Sequence, residues 1–333
     1  MAPSKLETTQ LSARPLHDTF GAEVEGVDWS ESPISAGIIA EIKALASENG
    51  VLVFRNANLD NDQHIAFARQ LGKELYDVKA HIKAGRAMRF PEQPEIFDVS
   101  NLDDKGNIVT DMDPMRKEGN KGNFLWHADM TYNPHRALYS ILRAVQLPPK
   151  GTGGETQYLD SRTACEELPP ALRAELEEAL GCKLEQVVTH NSLMHNRKLG
   201  SPDYFRSIEP LDQPMAKYKL VTPHEKSNRD NLYMTSYAHH FDGKSWEESK
   251  PLFDKLWDHL TQDKYILTVY WENDGDMVLW DNTAVLHRAT DSGSYGSKYV
   301  RDMRRTTTKD DSSYAFGENE DHTWEAGISK VKT

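Results

Sequence analysis

Short runs of β-branched and aromatic residues recur along this 333-residue chain, and no regular alternation with helices accompanies them. The runs are 51–54, 96–99, 138–145, 155–159, 183–189, 265–270, 276–280 and 303–308, each bounded by turn-forming residues. Such side chains suit a pleated, half-buried surface. Helical patterning is clear in four stretches. Residues 38–49 carry Ile38, Ile39, Ile42, Leu45 and Ala46 near a helical period. Residues 60–71 read similarly, with Asp60 or Asn61 as cap. Residues 168–180 have proline in the first turn and Gly181 at the end. Residues 245–260 open with Ser245 and Glu248 spaced as a capping box. A doubly wound α/β sheet needs strands and helices to alternate. The pattern therefore predicts a mainly β protein with helical insertions, a sandwich or jelly roll.

The length suits a single domain over 1–333, with about 1–10 and 315–333 loosely held. Hydrophobic residues make up 38% and charged residues 27%, an ordinary globular mix. No run approaches the roughly 20 apolar residues of a membrane span. The first residues lack the apolar centre of a secretory signal, so a cytoplasmic protein is expected. Cys165 and Cys182 suit neither a disulfide framework nor a thiolate metal site. The formal charge of −13 opposes nonspecific binding to nucleic acid or an anionic membrane. It leaves room for a locally basic pocket that takes a small anion. Both a monomer and a homo-oligomer are compatible with this composition.

Thirteen histidines make chance patterns common. With this acidic content, about two His-x-Asp/Glu triplets are expected at random. Two occur, His127-Ala-Asp129 and His240-Phe-Asp242, so context has to separate them. Residues i and i+2 of a strand share a face, and His127 follows the β-compatible run Asn123-Phe-Leu-Trp126. The second triplet runs into Asp242-Gly243, a turn signal before the helix at Ser245. A third ligand should come from a distant strand. His287 qualifies, beyond the apolar strand 276–280 and a polar turn. Two histidines and one carboxylate, bound facially, leave three positions open on iron(II), as an oxygenase requires.

A basic run adds to this. Between Tyr299 and Thr308 the strand period puts Arg301 and Arg305 on one face and Arg304 on the other. Inward-facing guanidiniums need anionic partners, and their planar forks match carboxylates. The bland alternative is a solvated basic edge strand.

Taken together, these residues resemble the taurine dioxygenase and 2,4-dichlorophenoxyacetate dioxygenase family from about residue 15 to 310. Trp126-His-Ala-Asp129 resembles its first metal motif, and 147–156 its proline- and glycine-rich turn. Trp280-Asp-Asn282 before His287 resembles the approach to its distal histidine, and 301–308 its closing basic strand. The resemblance implies a double-stranded β-helix, a form of jelly roll. It implies iron(II) held by His127, Asp129 and His287, with 2-oxoglutarate and O₂ as cosubstrates. Thr156 and Arg301 would hold the 5-carboxylate of 2-oxoglutarate, and Arg305 an acidic group of the substrate. Asn123, Tyr76, Lys79 and His81 fall where the family lines its substrate pocket. Fourteen positions separate His287 from Arg301, a longer interval than the family's usual one. Lys298 lies nearer that interval, but Arg301 keeps the Arg-x-x-x-Arg-x-Thr pattern in register.

The implied reaction oxidises a C–H bond of a small anionic substrate, by hydroxylation with or without C–O cleavage, and yields succinate and CO₂. The same cofactors could support desaturation or ring formation on an amino acid or another small metabolite. Two further readings stay open at this stage. A zinc hydrolase could use the same three residues around an activated water, though it gives no role to the arginines and Thr156. A β-sandwich binding module could keep the fold without turnover.

Overall fold

The computed structural model describes residues 11–79, 82, 88–290 and 295–326. Its first part contains β1 (Ser12–Pro15), β2 (Ala22–Glu25), α1 (Ala36–Asn49), β3 (Val51–Phe54), α2 (Asn61–Leu71), β4 (Phe97–Asp98) and α3 (Pro114–Asn120). The middle contains β5 (Ala137–Gln146), β6 (Thr156–Leu159), α4 (Ser161–Glu166), α5 (Pro170–Leu180), β7 (Val188–Asn191) and α6 (Leu193–Gly200). Then come β8 (Ala216–Lys219), β9 (Val221–His224), β10 (Arg229–Leu232), β11 (Ala238–Phe241) and α7 (Trp246–Leu260). The last strands are β12 (Ile266–Val269), β13 (Met277–Asp281), β14 (Leu286–Ala289) and β15 (Asp302–Lys309).

The seven-stranded sheet has the order β1-β2-β3-β13-β5-β15-β4. At its centre β5 pairs antiparallel with β13 and β15, in a register that sets Ser140 opposite Trp280 and Thr307. Successive side chains of a strand point to opposite faces, and the core divides accordingly. Tyr139, Ile141 and Leu279 join Ile38, Ile42 and Phe67 of α1 and α2 in one cluster. Leu142, Val278, Trp280 and Met303 join Tyr158 and Leu267 in another, between this sheet and the smaller sheet β12-β6-β14. Truncating one such buried aliphatic side chain to alanine costs about 2–5 kcal/mol. Beyond the smaller sheet a third cluster joins Leu159 and Leu286 to Phe253, Leu256 and Leu260 of α7. The mixed sheets with inserted helices meet part of the expectation, although the helices are as extensive as the strands.

Local chemistry explains the helix boundaries. Asp60 and Ser245 each complete a reciprocal capping box, with Gln63 and Glu248. Gly181 ends α5 at a left-handed φ of 73°, a conformation open to glycine at little cost.

Three expectations are corrected. Residues 183–189 are not one strand: a 3-10 turn over Leu184–Gln186 precedes β7. Residues 123 and 124 are not extended either, because Lys121–Phe124 forms a 3-10 turn; extended backbone begins only at Leu125. Residues 315–326 are held rather than loose. Ala315 is buried, and Asn319 receives from the Lys217 backbone N–H and donates to its carbonyl. The Ala326 N–H bonds Asn133, and Trp324 packs on the core. Among the described residues, no helix is long and apolar enough to cross a membrane.

Candidate metal centre and active site

Two backbone bonds join the distant halves of the site. His127 and His287 form an isolated antiparallel bridge, with His127 N–H donating to His287 O at 3.0 Å and the reverse bond at 2.8 Å. The bridge extends the smaller sheet at β14 and leaves the imidazole centroids 4.2 Å apart. Asp129 follows in a turn, where its backbone N–H donates to Asn282 Oδ1 at 2.9 Å. One ligand atom from each of His127, Asp129 and His287 lies within 4.8 Å of the others, and all three residues are buried.

The surroundings prepare each donor. His127 Nδ1 donates to the Leu125 carbonyl at 2.7 Å, which leaves Nε2 with its lone pair. Burial is the main force keeping His127 and His287 neutral, holding both below the usual imidazole range. The imidazole of His287 has no hydrogen-bond partner among the described residues, and its Nδ1 is fully buried. Asp129 behaves oppositely. Burial pushes its carboxyl up, but Arg305, both histidines and Ser140 outweigh this and bring it down to about 2. Ser140 Oγ donates to Oδ2 at 2.6 Å, and Arg305 Nη1 to Oδ1 at 2.8 Å. Asn282 braces the arrangement by donating to Leu138 O and Ser140 Oγ and accepting from Trp280 Nε1. An ionised carboxylate beside two neutral imidazoles is a donor set suited to a divalent transition metal.

The basic strand divides by face. Arg304 points away from the cluster, towards Asp302 and Asn61, with its guanidinium 4.4 Å from the Phe90 centroid. Arg305 points to Asp129, and its Nε is buried without a partner. Arg301, just before β15, donates to the Val99 and Gly154 carbonyls at 3.3 and 3.2 Å. It forms no ion pair among the described residues, its Nε is buried and unpartnered, and burial lowers its guanidinium pKa. Gly154, at φ 95°, leaves the room this guanidinium occupies; a Cβ there would lie 3.1 Å from Nε. Arg301 lines a cleft of about 150 Å³ with Leu147, Pro149, Gly154 and Trp271. Thr156 is buried at the start of β6, opposite Val269 and Ala289. Lys298, by contrast, is exposed.

The remaining sequence candidates scatter. Tyr76 is buried beside Met130 and donates to the His135 carbonyl. Asn123 is half-buried in the 3-10 turn. Lys79 is not brought to the cluster: its side chain is 59% exposed and pairs with Asp77 at 3.0 Å. His81 lies outside the described residues. Sequence reasoning missed Ser140, although a serine inside an apolar strand is itself a signal, because a buried hydroxyl needs a partner. It also missed Tyr132 and Tyr237, whose rings are 4.8 Å apart beside His127.

A family model described as "Taurine catabolism dioxygenase TauD, TfdA family" matches residues 12–307. The chain belongs to this family. Within the TauD, TfdA family it is 37% identical over 300 residues to an alpha-ketoglutarate-dependent 2,4-dichlorophenoxyacetate dioxygenase of Cupriavidus pinatubonensis, covering 90% of this chain and 98% of that protein. It is 32% identical over 278 residues to an (S)-phenoxypropionate/alpha-ketoglutarate-dioxygenase of Sphingobium herbicidovorans, covering 83% and 88%. The crystal structure of AAD-2 in complex with Mn(II) and N-oxalylglycine superposes with a TM-score of 0.78 at 29% identity, covering 90% and 98%. A taurine dioxygenase from Burkholderia xenovorans gives 0.68 at 26%, covering 91% and 92%. This TauD, TfdA family member is a dioxygenase that uses iron(II), 2-oxoglutarate and O₂.

Proposed function

We propose that His127, Asp129 and His287 hold the iron(II), that Thr156 and Arg301 hold the 5-carboxylate of 2-oxoglutarate, and that Arg305 receives the acidic group of a small substrate whose C–H bond is oxidised. The convergence of the three donors within 4.8 Å, with Arg305 anchored on one of them, carries this reading. The residues fit the metal. Two neutral imidazoles and one ionised carboxylate converge, and the buried His287 Nδ1 has no hydrogen-bond partner among the described residues. When bound, iron(II) with 2-oxoglutarate and O₂ supplies the oxidation, and succinate and CO₂ leave.

The protein's part is placement. Ser140 fixes the Asp129 carboxylate, Asn282 holds the Asp129 backbone N–H, and the Leu125 carbonyl fixes the tautomer of His127. Arg301 brings a buried positive charge that a carboxylate would balance. Arg305, with one Nη on Asp129 and its Nε unpartnered, sets the distance between the substrate's acidic group and the metal. Relatives named for phenoxyacetate and phenoxypropionate substrates favour an aryl or alkyl acid here. If the oxidised carbon carries an ether oxygen, the hydroxylated product is a hemiacetal, and its C–O bond breaks to an alcohol and a carbonyl compound.

The seven-stranded sheet faces β12-β6-β14 across a shared interior, with the His127–His287 bridge at one end. We read this as the double-stranded β-helix of a single oxygenase domain. The test is anaerobic loading with iron(II) and 2-oxoglutarate, followed by a screen of small acids for substrate-triggered succinate. Arg305→Gln should raise KM for the true substrate far more than for 2-oxoglutarate; equal effects on both would contradict the division between the two arginines.

A further inference from the structure

Tyr158 is absorbed by none of these roles. It sits in the middle of β6, directly opposite His287 on β14, and shares its face of the strand with Thr156, two residues away. Gln157 takes the other face, where it accepts from Arg288 Nε and donates to Thr268 Oγ1. The Tyr158 ring belongs to the cluster between the two sheets. It packs on Trp280 with centroids 5.6 Å apart and stacks towards His287 at 6.3 Å, and Trp280 in turn meets His287 at 4.7 Å. Its aromatic neighbours are thus those at the metal end of the site.

The side chain is fully buried, and its hydroxyl has no hydrogen-bond partner among the described residues. A phenol is protonated at neutral pH and has one hydrogen bond to donate. Leaving such a donor unpaired in the interior costs about 1–3 kcal/mol. Packing accounts for the ring but not for the hydroxyl, because a phenylalanine would fill the same space. The hydroxyl is therefore assigned to something that arrives from outside the chain.

Strand geometry says what that could be. Two residues of an antiparallel strand span about 7 Å. This is the interval along β6 between the position opposite His287 and Thr156. 2-Oxoglutarate is a five-carbon chain of comparable length. With its keto-acid end on a metal at His287 and its 5-carboxylate at Thr156, it would run along β6 past Tyr158. A donor that shares its surroundings with His287 and Trp280 meets the keto-acid end, while Thr156 and Arg301 hold the other. Resting on the functional reading above, we propose that the Tyr158 hydroxyl donates a hydrogen bond to the 1-carboxylate of 2-oxoglutarate. It thereby orients the keto-acid end of the cosubstrate against the metal.

The experiment measures binding calorimetrically on anaerobic iron(II)-loaded enzyme with two probes. One is 2-oxoglutarate; the other is 2-oxopentanoate, which keeps the keto acid and lacks the 5-carboxylate. Tyr158→Phe should weaken both about tenfold, the scale of one hydrogen bond to a charged group. Arg301→Gln should weaken 2-oxoglutarate and leave 2-oxopentanoate unchanged. The Tm of the iron(II) enzyme without cosubstrate separates this from a structural role. There Tyr158→Phe should match or exceed the wild type, because an unpaired hydroxyl has been removed. Wild-type affinity of Tyr158→Phe for 2-oxoglutarate would overturn the proposal. So would a loss confined to 2-oxoglutarate, a fall in the Tm of the cosubstrate-free variant, or failure of the wild type to bind 2-oxopentanoate. If the wild type bound iron(II) but not 2-oxoglutarate, the underlying functional reading would fall first.

Discussion

His127-Ala-Asp129 and His240-Phe-Asp242 are spelled alike, yet they sit in opposite environments. In the first, the histidine lies on a single bridge and the carboxylate in a buried turn, aimed at a third residue more than 150 positions away. Each donor is fixed by a group that is not itself a ligand: Leu125 O, Ser140 Oγ and Asn282 Oδ1. In the second, the strand β11 ends and its side chains satisfy one another. His240 stacks on His190 at 4.3 Å, Asp242 accepts from His190 Nε2 at 2.7 Å, and the Asp242 side chain is 63% exposed. The first triplet therefore converges its donor atoms with those of His287, while the second spends its own on neighbours. A ligand motif is recognised by what it converges on more than by its spacing.

The sharpest way to break this comparison is to remove one donor from each side. Asp129→Ala or His287→Ala should reduce substrate-dependent succinate formation to background, whereas His240→Ala should stay within about twofold of wild type, as for a surface change away from the site. Comparable losses from His240→Ala and Asp129→Ala would erase the distinction. A smaller effect is expected from the support behind the first triplet. Ser140→Ala removes the donor to Asp129 Oδ2 and should weaken iron(II) binding about 10- to 100-fold in a competition against a chelator.

Asn282→Ala tests the brace. It deprives the Asp129 N–H and Trp280 Nε1 of their acceptor in the buried interior, and should lower stability to urea by about 1–3 kcal/mol. The smallest effect concerns pH at the second triplet. Burial first, then His190 and His239, push His240 down to about 4. Between its ordinary value near 6.5 and that point, the unfolded chain binds more protons than the folded one, so stability falls as pH falls through this window. His240→Gln should flatten the decline in Tm between pH 7 and pH 5; an unchanged slope would mean that this imidazole does not titrate with unfolding.

The same contrast explains what the sequence revealed. Arg304 and Arg305 were readable because a strand alternates its faces, and β15 does so where Arg304 turns outward and Arg305 inward; Arg301 precedes β15, beyond the register shift at Asp302/Met303, so alternation does not place it. His287 could be placed because an apolar strand and a polar turn precede it. The 3-10 conformation of Lys121–Phe124 was not legible, because it is held by contacts from α6 that no local propensity encodes. The helix α6 was missed for a related reason: it has eight residues and too little apolar periodicity to be recognised. Short strands such as β8 to β11 escaped because four residues carry little pattern of their own. The tail beyond Tyr314 reads as acidic and loose, yet Trp324 and Asn319 anchor residues 315–326 through tertiary contacts.

The most direct measurement is anomalous scattering at the iron edge from crystals grown anaerobically with iron(II) and 2-oxoglutarate. A single strong peak within bonding distance of His127, Asp129 and His287 is the expected result. No peak there, or the principal peak beside His190 and Asp242, would contradict the account.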